Sequence, residues 1–522
     1  MNYSRALLLL LVLIPIATWA ASPFSTTHGD TTIDGRTYSL VPATDLISHL
    51  HTAPSGTLLQ ASDVLFTGPF LAGLTALDTV RAHLDFQEII FAEEVNLDRV
   101  VFLGDISFDR SQFQGGLSLL GATFHGDLHL TSASIARHIS CKRAAFHGVV
   151  DFSETRFDGS ASFNEATFDG GHQSFARTHF EDSAYFERTR FAGDVDFRDA
   201  AFQRQISCKE ARWEGALSFA GTRFYQRALF WQAHFGGNVD FDASLTVGEI
   251  GFENATFARP ASFKRAVFVR LARFVETDFG DRVTFAGSRF QRGAEFYATR
   301  FAAGVVFRSL FAGNLDLRQA EAPFLDLRPP VGDPQSGLAD TSFATDAQVL
   351  LQEAHYGQLL LHWPHLAGRL AAADSSSLED LAPVYASLRR QLENRGLHAD
   401  ADACRSEWLS RYTHSLPWIS PERCALQFFG LSTRYGTSLQ RLALFALTSA
   451  LLFTLLFRLL RPVAEDRPLS LIDCAYLSFS TFLGRPSHHP TGGIRLLLLV
   501  ETLLAWICWG LFIATTLFLL MR

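Results

Sequence analysis

Methionine is almost missing from this chain, with 2 in 522 residues, and cysteine is sparse at 6. So few thiols over such a length exclude a small disulfide-stapled scaffold. A basic excess is lacking as well. The 45 Lys+Arg stand against 53 Asp+Glu, a net charge of −8, which argues against a surface built to grip nucleic acid. Charged residues are only 19% and apolar residues 48%, so long disordered tracts are excluded. The sequence offers no nucleophile–base pair, ligand cluster or phosphate loop, which leaves an enzyme without machinery. His488 and His489 are adjacent but have no third ligand, so neither a metal nor a cofactor is expected. What is abundant is phenylalanine, at 48 residues, more than one ordinary core would use.

Residues 1–21 carry one positive charge, Arg5, then an apolar stretch to Ile16, then small residues around Thr18, Ala20 and Ala21. That is the layout of a secretory signal, and with Pro15 inside it the stretch is short for a spanning helix. The segment that follows is therefore expected to be exported, periplasmic or extracellular.

From Phe146 onward the aromatics recur at alternating steps of five and six, for a true period of 11. One series includes Phe219, Phe230, Phe241, Phe252, Phe263, Phe274, Phe285 and Phe296, and a partner series runs from Phe257 to Phe301. Upstream, Phe152, Phe163 and Phe197 follow the same rhythm across a single-residue insertion between Phe168 and Phe180. A period of 11 also fits a right-handed helical supercoil. On such a helix, however, a five-residue step rotates a side chain by about 130°, so the two series would form separate stripes. Glycine also falls two places after many aromatics, as in Phe124/Gly126, Phe146/Gly148 and Trp213/Gly215, and each would cost a helix about 1 kcal/mol. The pattern points instead to short strands joined by tight corners, with these phenylalanines inward.

A small residue sits two places before the aromatic in Ala122-Thr-Phe124, Ala166-Thr-Phe168, Ala233-His-Phe235 and Ala255-Thr-Phe257. The segment resembles the pentapeptide-repeat family. The resemblance implies a right-handed, four-sided β-helix, here with about 22 residues per coil rather than the family's 20. It covers residues 86–328, behind a capping region at 22–85 in which Leu46, Ile47 and Leu50 outline a short amphipathic helix. Two near-identical pieces, His138-Ile-Ser-Cys141 and Gln205-Ile-Ser-Cys208, put both thiols at phenylalanine positions on one face, three coils apart. At ~4.8 Å per coil they are too distant for a disulfide and are expected to be buried apolar thiols. Family members that mimic DNA are acidic, but between Phe108 and Phe307 there are 23 Asp+Glu and 23 Lys+Arg. Such a surface suits a protein partner or a spacer.

Residues 329–440 form a linker and a helical hairpin. Ser377 to Asp380 is a candidate capping box, Val384, Tyr385, Leu388 and Leu392 keep helical spacing, and Gly396 ends the helix. A second helix carries Ala401, Cys404, Trp408 and Tyr412, with Glu393 and Glu407 expected on solvated faces. Cys404 and Cys424 are the one pair for which a disulfide stays open.

In residues 441–522, apolar runs at 442–460 and 496–521 are long enough to span a membrane, and between them lies a short apolar segment before a Gly/Pro-rich turn. Ala475-Tyr-Leu-Ser-Phe-Ser-Thr481-Phe and Pro490-Thr-Gly-Gly resemble the re-entrant pore segment and turn of the potassium-channel superfamily's two-helix module. The filter-like residues are Thr481, Leu483, Gly484 and Arg485. Arg485 and Pro486 replace the Tyr and Gly of a potassium filter, so potassium selectivity is not expected. Glu501 is the one ionisable residue well inside a span: either a functional group or one that snorkels near Arg495. Two readings follow. One is a membrane-anchored, non-catalytic scaffold that binds a protein partner. The other is a homo-oligomeric channel, a tetramer, with a non-potassium filter gated through the hairpin.

Overall fold

The computed structural model describes residues 29–72, 77–330, 342–372, 378–460, 463–464, 467–484 and 494–520. The expected signal at 1–21, along with Ser377, Arg485, Pro486, His488 and His489, lies outside the described residues. The chain divides into two compact units, Met1–Ala371 and Ala372–Arg522.

The first unit is the expected four-sided β-solenoid. Each coil contributes four short strands, such as Thr123–Phe124, Leu128–His129, Ser134–Ile135 and Ile139–Ser140. Each strand pairs in parallel with its counterpart one coil later, Thr123 with Ala145 and Leu128 with Val150, so the coil is 22 residues long. Successive coils build a 14-stranded sheet, a 13-stranded sheet and a 25-stranded sheet that covers two faces. The 11-residue series therefore belongs to two faces. Phe219, Phe241, Phe263 and Phe285 stack in one ladder, while Phe230, Phe252, Phe274 and Phe296 stack in another.

Within a ladder the rings lie nearly parallel, as in Phe163–Phe186 at 4.8 Å and 6°. Between ladders they meet edge to face, as in Phe219–Phe230 at 5.7 Å and 73°. Such pairs contribute about 0.5–1.5 kcal/mol beyond the burial of their area. Phe152, Phe163, Phe197, Phe219, Phe230, Phe241, Phe252, Phe263, Phe274, Phe285 and Phe296 are all buried. Cys141 and Cys208 take phenylalanine positions, are buried and are free thiols.

The small residue two places before each aromatic has a definite task where it is Ser or Thr. The Thr189 hydroxyl donates to the Phe163 carbonyl at 2.8 Å, and Thr277 donates likewise to Phe252. Side chain and backbone thus tie each coil to the one before it. The recurring glycines are explained by crowding, not by unusual dihedrals: a Cβ on Gly170 would lie 1.9 Å from the Gly148 carbonyl oxygen. At the other corners the chain turns through non-glycine residues in the left-handed region, such as Glu154, Glu165, Arg177 and Arg188, at about 1–2 kcal/mol each.

The extra residue between Phe168 and Phe180 is absorbed at Gly170-Gly171. Here Val150 pairs with Gln173, a coil of 23 residues. Elsewhere on this face an amide such as Leu128 N–H donates to a corner carbonyl of the next coil. Val150 N–H donates instead to the side-chain Oε1 of Gln173 at 3.0 Å, and Gln173 Nε2 donates to the Gly170 carbonyl. Gln173 is fully buried and repairs the ladder where the insertion interrupts it.

The ladders also run beyond residues 86–328. At the start, β1 (Asp30–Ile33) and β2 (Arg36–Pro42) form a hairpin, and β2 pairs in parallel with Val64–Thr67. Helix α1 (Ala43–Thr52) buries Leu46, Ile47 and Leu50, as its spacing predicted. At the far end His355–Leu360 and the short α2 (Trp363–Leu366) follow the last coil, with Trp363 and Leu366 buried. These outer coils hold Leu, Val and Ala at many inward positions, so an aromatic count does not register them.

Gln173→Leu leaves the Val150 amide without its acceptor and is expected to cost about 1–3 kcal/mol. Gly170→Ala forces two coils apart and should destabilise the solenoid as well. Urea denaturation followed by far-ultraviolet circular dichroism checks both, with the exposed substitution Gln226→Leu expected to leave the midpoint unchanged.

Candidate functional site

The second unit is helical. Helices α3 (Leu381–Asn394) and α4 (His398–Ser415) form the hairpin, burying Leu381, Val384, Tyr385, Leu388 and Leu392 against Ala401 and Cys404. Gly396 lies in the left-handed region at the end of the first helix. The carboxylates have structural partners. Glu407 accepts the Tyr385 hydroxyl at 2.7 Å and pairs with Arg411, while Glu393 pairs with Arg389. Burial, with the Glu407 charge behind it, pushes the Cys404 thiol up to about 12. Cys404 is buried, Cys424 is exposed, and both are free thiols.

A further helix, α5 (Pro421–Thr433), was not read from the sequence. Its signal was available: Ser420 accepts from Arg423 N–H and Pro421 occupies the first helical position, a strong start pair. It ends at Arg434, Tyr435 and Gly436, all in the left-handed region.

Helices α6 (Leu439–Leu460) and α8 (Ile494–Leu520) are the two long apolar helices, and α7 (Leu471–Phe482) is the short one between them in sequence. A reciprocal capping box starts α7: Ser470 Oγ accepts from Asp473 N–H, and the Asp473 carboxylate accepts from Ser470 N–H. Phe453 and Phe457 of α6 pack on Cys474 and Leu477 of α7, with Leu497, Leu498 and Leu504 of α8 against them. An apolar cavity of about 390 Å³ opens between the same helices, lined by Leu442, Ala446, Phe479, Cys508 and Phe512 among others.

The filter-like residues fall at the end of α7. Thr481 is buried inside the helix and its hydroxyl donates to the Leu477 carbonyl at 2.8 Å. Leu483 is exposed, and Gly484 lies in the left-handed region just after the helix. The Trp509 indole N–H of α8 donates to the Phe482 carbonyl at 3.0 Å, which ties the end of α7 to the long helix.

Glu501 is fully buried. Its Oε1 accepts from the Ser478 hydroxyl of α7, and that Oγ also lies 2.9 Å from the Ala450 carbonyl of α6. Its Oε2 is buried with no hydrogen-bond partner among the described residues. A snorkelling side chain would reach toward a helix end; this one turns inward and joins three helices. Sequence reasoning marked Glu501 but not Ser478, because an isolated serine in an apolar helix carries no pattern. Among the described residues no group of three or more His, Cys, Asp or Glu side chains is placed to hold a metal ion.

A family model described as "Pentapeptide repeats (9 copies)" matches residues 86–134 and 252–300, both within the solenoid. No curated protein matches the chain.

Two outcomes are expected. Burial raises the Cys141 and Cys208 thiols as it does Cys404, so at neutral pH a maleimide should label Cys424 and spare all three until the protein is denatured. In a double-mutant cycle of Ser478→Ala and Glu501→Leu, thermal unfolding in detergent should show a coupling of about 0.5–3 kcal/mol, and independent effects would contradict the contact.

Proposed function

We propose that the pentapeptide-repeat solenoid of this chain is a non-catalytic protein-binding scaffold, held at a membrane by α6 and α8 and exported to the periplasm or cell exterior. The observation that carries the anchor is how little of these helices the protein covers. Leu439–Leu460 and Arg495–Leu519 have mean hydropathies of 2.1 and 2.2, yet only 33% and 17% of the respective spans is buried. Leu444, Leu451 and Leu455 of α6 and Leu503, Trp506 and Phe512 of α8 stand exposed. At about 25 cal/mol per Å² such a surface is costly in water and suited to lipid. The core helix of a soluble protein would be covered.

Scaffolding is supported by where the aromatic residues go. They fill the interior, and the exterior is left to mixed charge, which suits recognition rather than chemistry. The channel remains a second reading on one observation: a short capped helix packs between two long apolar helices, the element order of a two-helix pore.

The protein is expected in the membrane fraction, retained through carbonate washing and released by detergent. After reconstitution a monomer without conductance is expected; a tetramer with single-channel currents would replace the scaffold with the channel.

A further inference from the structure

The solenoid is electrically neutral along most of its length but not everywhere. Between Arg259 and Arg292 the sequence has eight Lys+Arg and three Asp+Glu, in a chain whose net charge is −8. Most arginines on the rod are neutralised by a neighbouring coil, as Arg110 is by Glu88, Arg143 by Glu165 and Arg300 by Asp278. Lys264 and Arg282 form no ion pair among the described residues, although both are exposed.

These two cations line a groove of about 620 Å³, within the range of ligand pockets, which is about 300–1,000 Å³. The groove exists because the winding changes. The strand Glu321–Asp326 runs straight across a corner, pairing with Arg300 on one face and with Val305–Val306 on the next. Val305 pairs with Leu325, a coil of only 20 residues, and Phe324 is thereby set half-buried at the end of the groove. Along its floor Asp240, Ser262, Thr284 and Val306 are stacked in register, one per coil. The row follows the rod axis with a spacing of ~4.8 Å.

We propose that this groove binds a segment of an acidic peptide. The inference rests on the scaffold reading and names its partner chemistry. Lys264 and Arg282 offer two unpaired cations to side-chain carboxylates. Ser262 and Thr284 place hydroxyls between them, and Phe324 offers a ring to an apolar side chain. Asp240 decides against a polyanion such as nucleic acid. It is half-buried in the floor, and desolvation holds its carboxyl above the usual range. A phosphate run would meet it at close quarters, whereas a peptide can give it a backbone N–H. The ligand wanted is one whose negative charges are separated by apolar and amide groups.

The test is fluorescence anisotropy on the full chain in detergent. The probes are a fluorescein-labelled octapeptide of alternating glutamate and leucine, its lysine–leucine counterpart and a labelled oligothymidylate. The glutamate peptide is expected to bind saturably, more weakly as salt rises, and at least about tenfold more weakly to the K264E/R282E double variant. R270E/R292E makes the same charge change at residues that do not line the groove, and should leave binding within about twofold. Circular dichroism checks that both variants keep the fold. Absence of saturable binding, equal weakening by both variants, or oligothymidylate binding as tightly as the peptide would each overturn the groove assignment. None of these outcomes bears on membrane retention, so the scaffold reading fails or stands separately.

Discussion

The structure depends on the contact between one coil and the next. Outward amides of each coil donate to carbonyls of its neighbour, Phe186 N–H to Ser207 and Phe197 N–H to Ser218, both at 2.7 Å. The rings beneath stack at the same interval, Phe175 on Phe197 at 4.7 Å and 10°. Neither interaction exists within a single coil. An isolated coil would pay the full ordering entropy of its residues and leave both surfaces open, so stability accrues only by repetition. That constraint explains details that look unrelated. The glycine corners exist because coils must approach closely. The inward threonines exist because a spare carbonyl must be capped, and Gln173 exists because one insertion would otherwise break the chain of donors.

Much of this was legible before coordinates, and the reason is repetition itself. An 11-residue aromatic rhythm, tested against helical geometry by the angle of a five-residue step, leaves a cornered solenoid, and phenylalanine reports the inward positions. The legibility ends where the reporter residue ends. The coil strands at Leu58–Ser62 and Val64–Thr67 and the last coil near Val349–Leu350 use aliphatic residues, so they escape the count. The substitution of Trp213 for phenylalanine was visible, but not its effect: the ladder opens to 5.9 Å at Phe191 and closes to 5.0 Å at Phe235. Cys208, in the same coil, supplies a smaller side chain beside the larger one.

The helical unit was legible in a different way. Hydropathy marks α6 and α8 within a few residues because their length is a physical requirement, and helical spacing marks α3. What periodicity cannot show is which polar groups meet across helices. Ser478 and Glu501 are 23 residues apart on different helices, and their hydrogen bond follows from packing alone. A carboxyl oriented by one serine, with its other oxygen buried and without a partner, is costly in an apolar setting, so the packing that holds it must be firm. The capping box at Ser470 and the Trp509 bond to Phe482 fix α7 at both ends and supply that firmness.

Regular winding hides functional surface, because every coil presents nearly the same face to solvent as the last. A recess needs a departure from the period. The 23-residue coil at Gln173 makes none, since the added residue is taken up at Gly170-Gly171 and its hydrogen bond is repaired from inside. The 20-residue coil at Val305–Leu325 is different: the chain skips a corner and Phe324 overhangs the outer row. Charge departs from its average over the same stretch, with Lys264 and Arg282 left without the carboxylates that pair Arg143 and Arg300. A defect in geometry and a defect in charge balance coincide at one place. On a rod whose other charges are matched coil against coil, that coincidence is what separates a binding surface from a spacer.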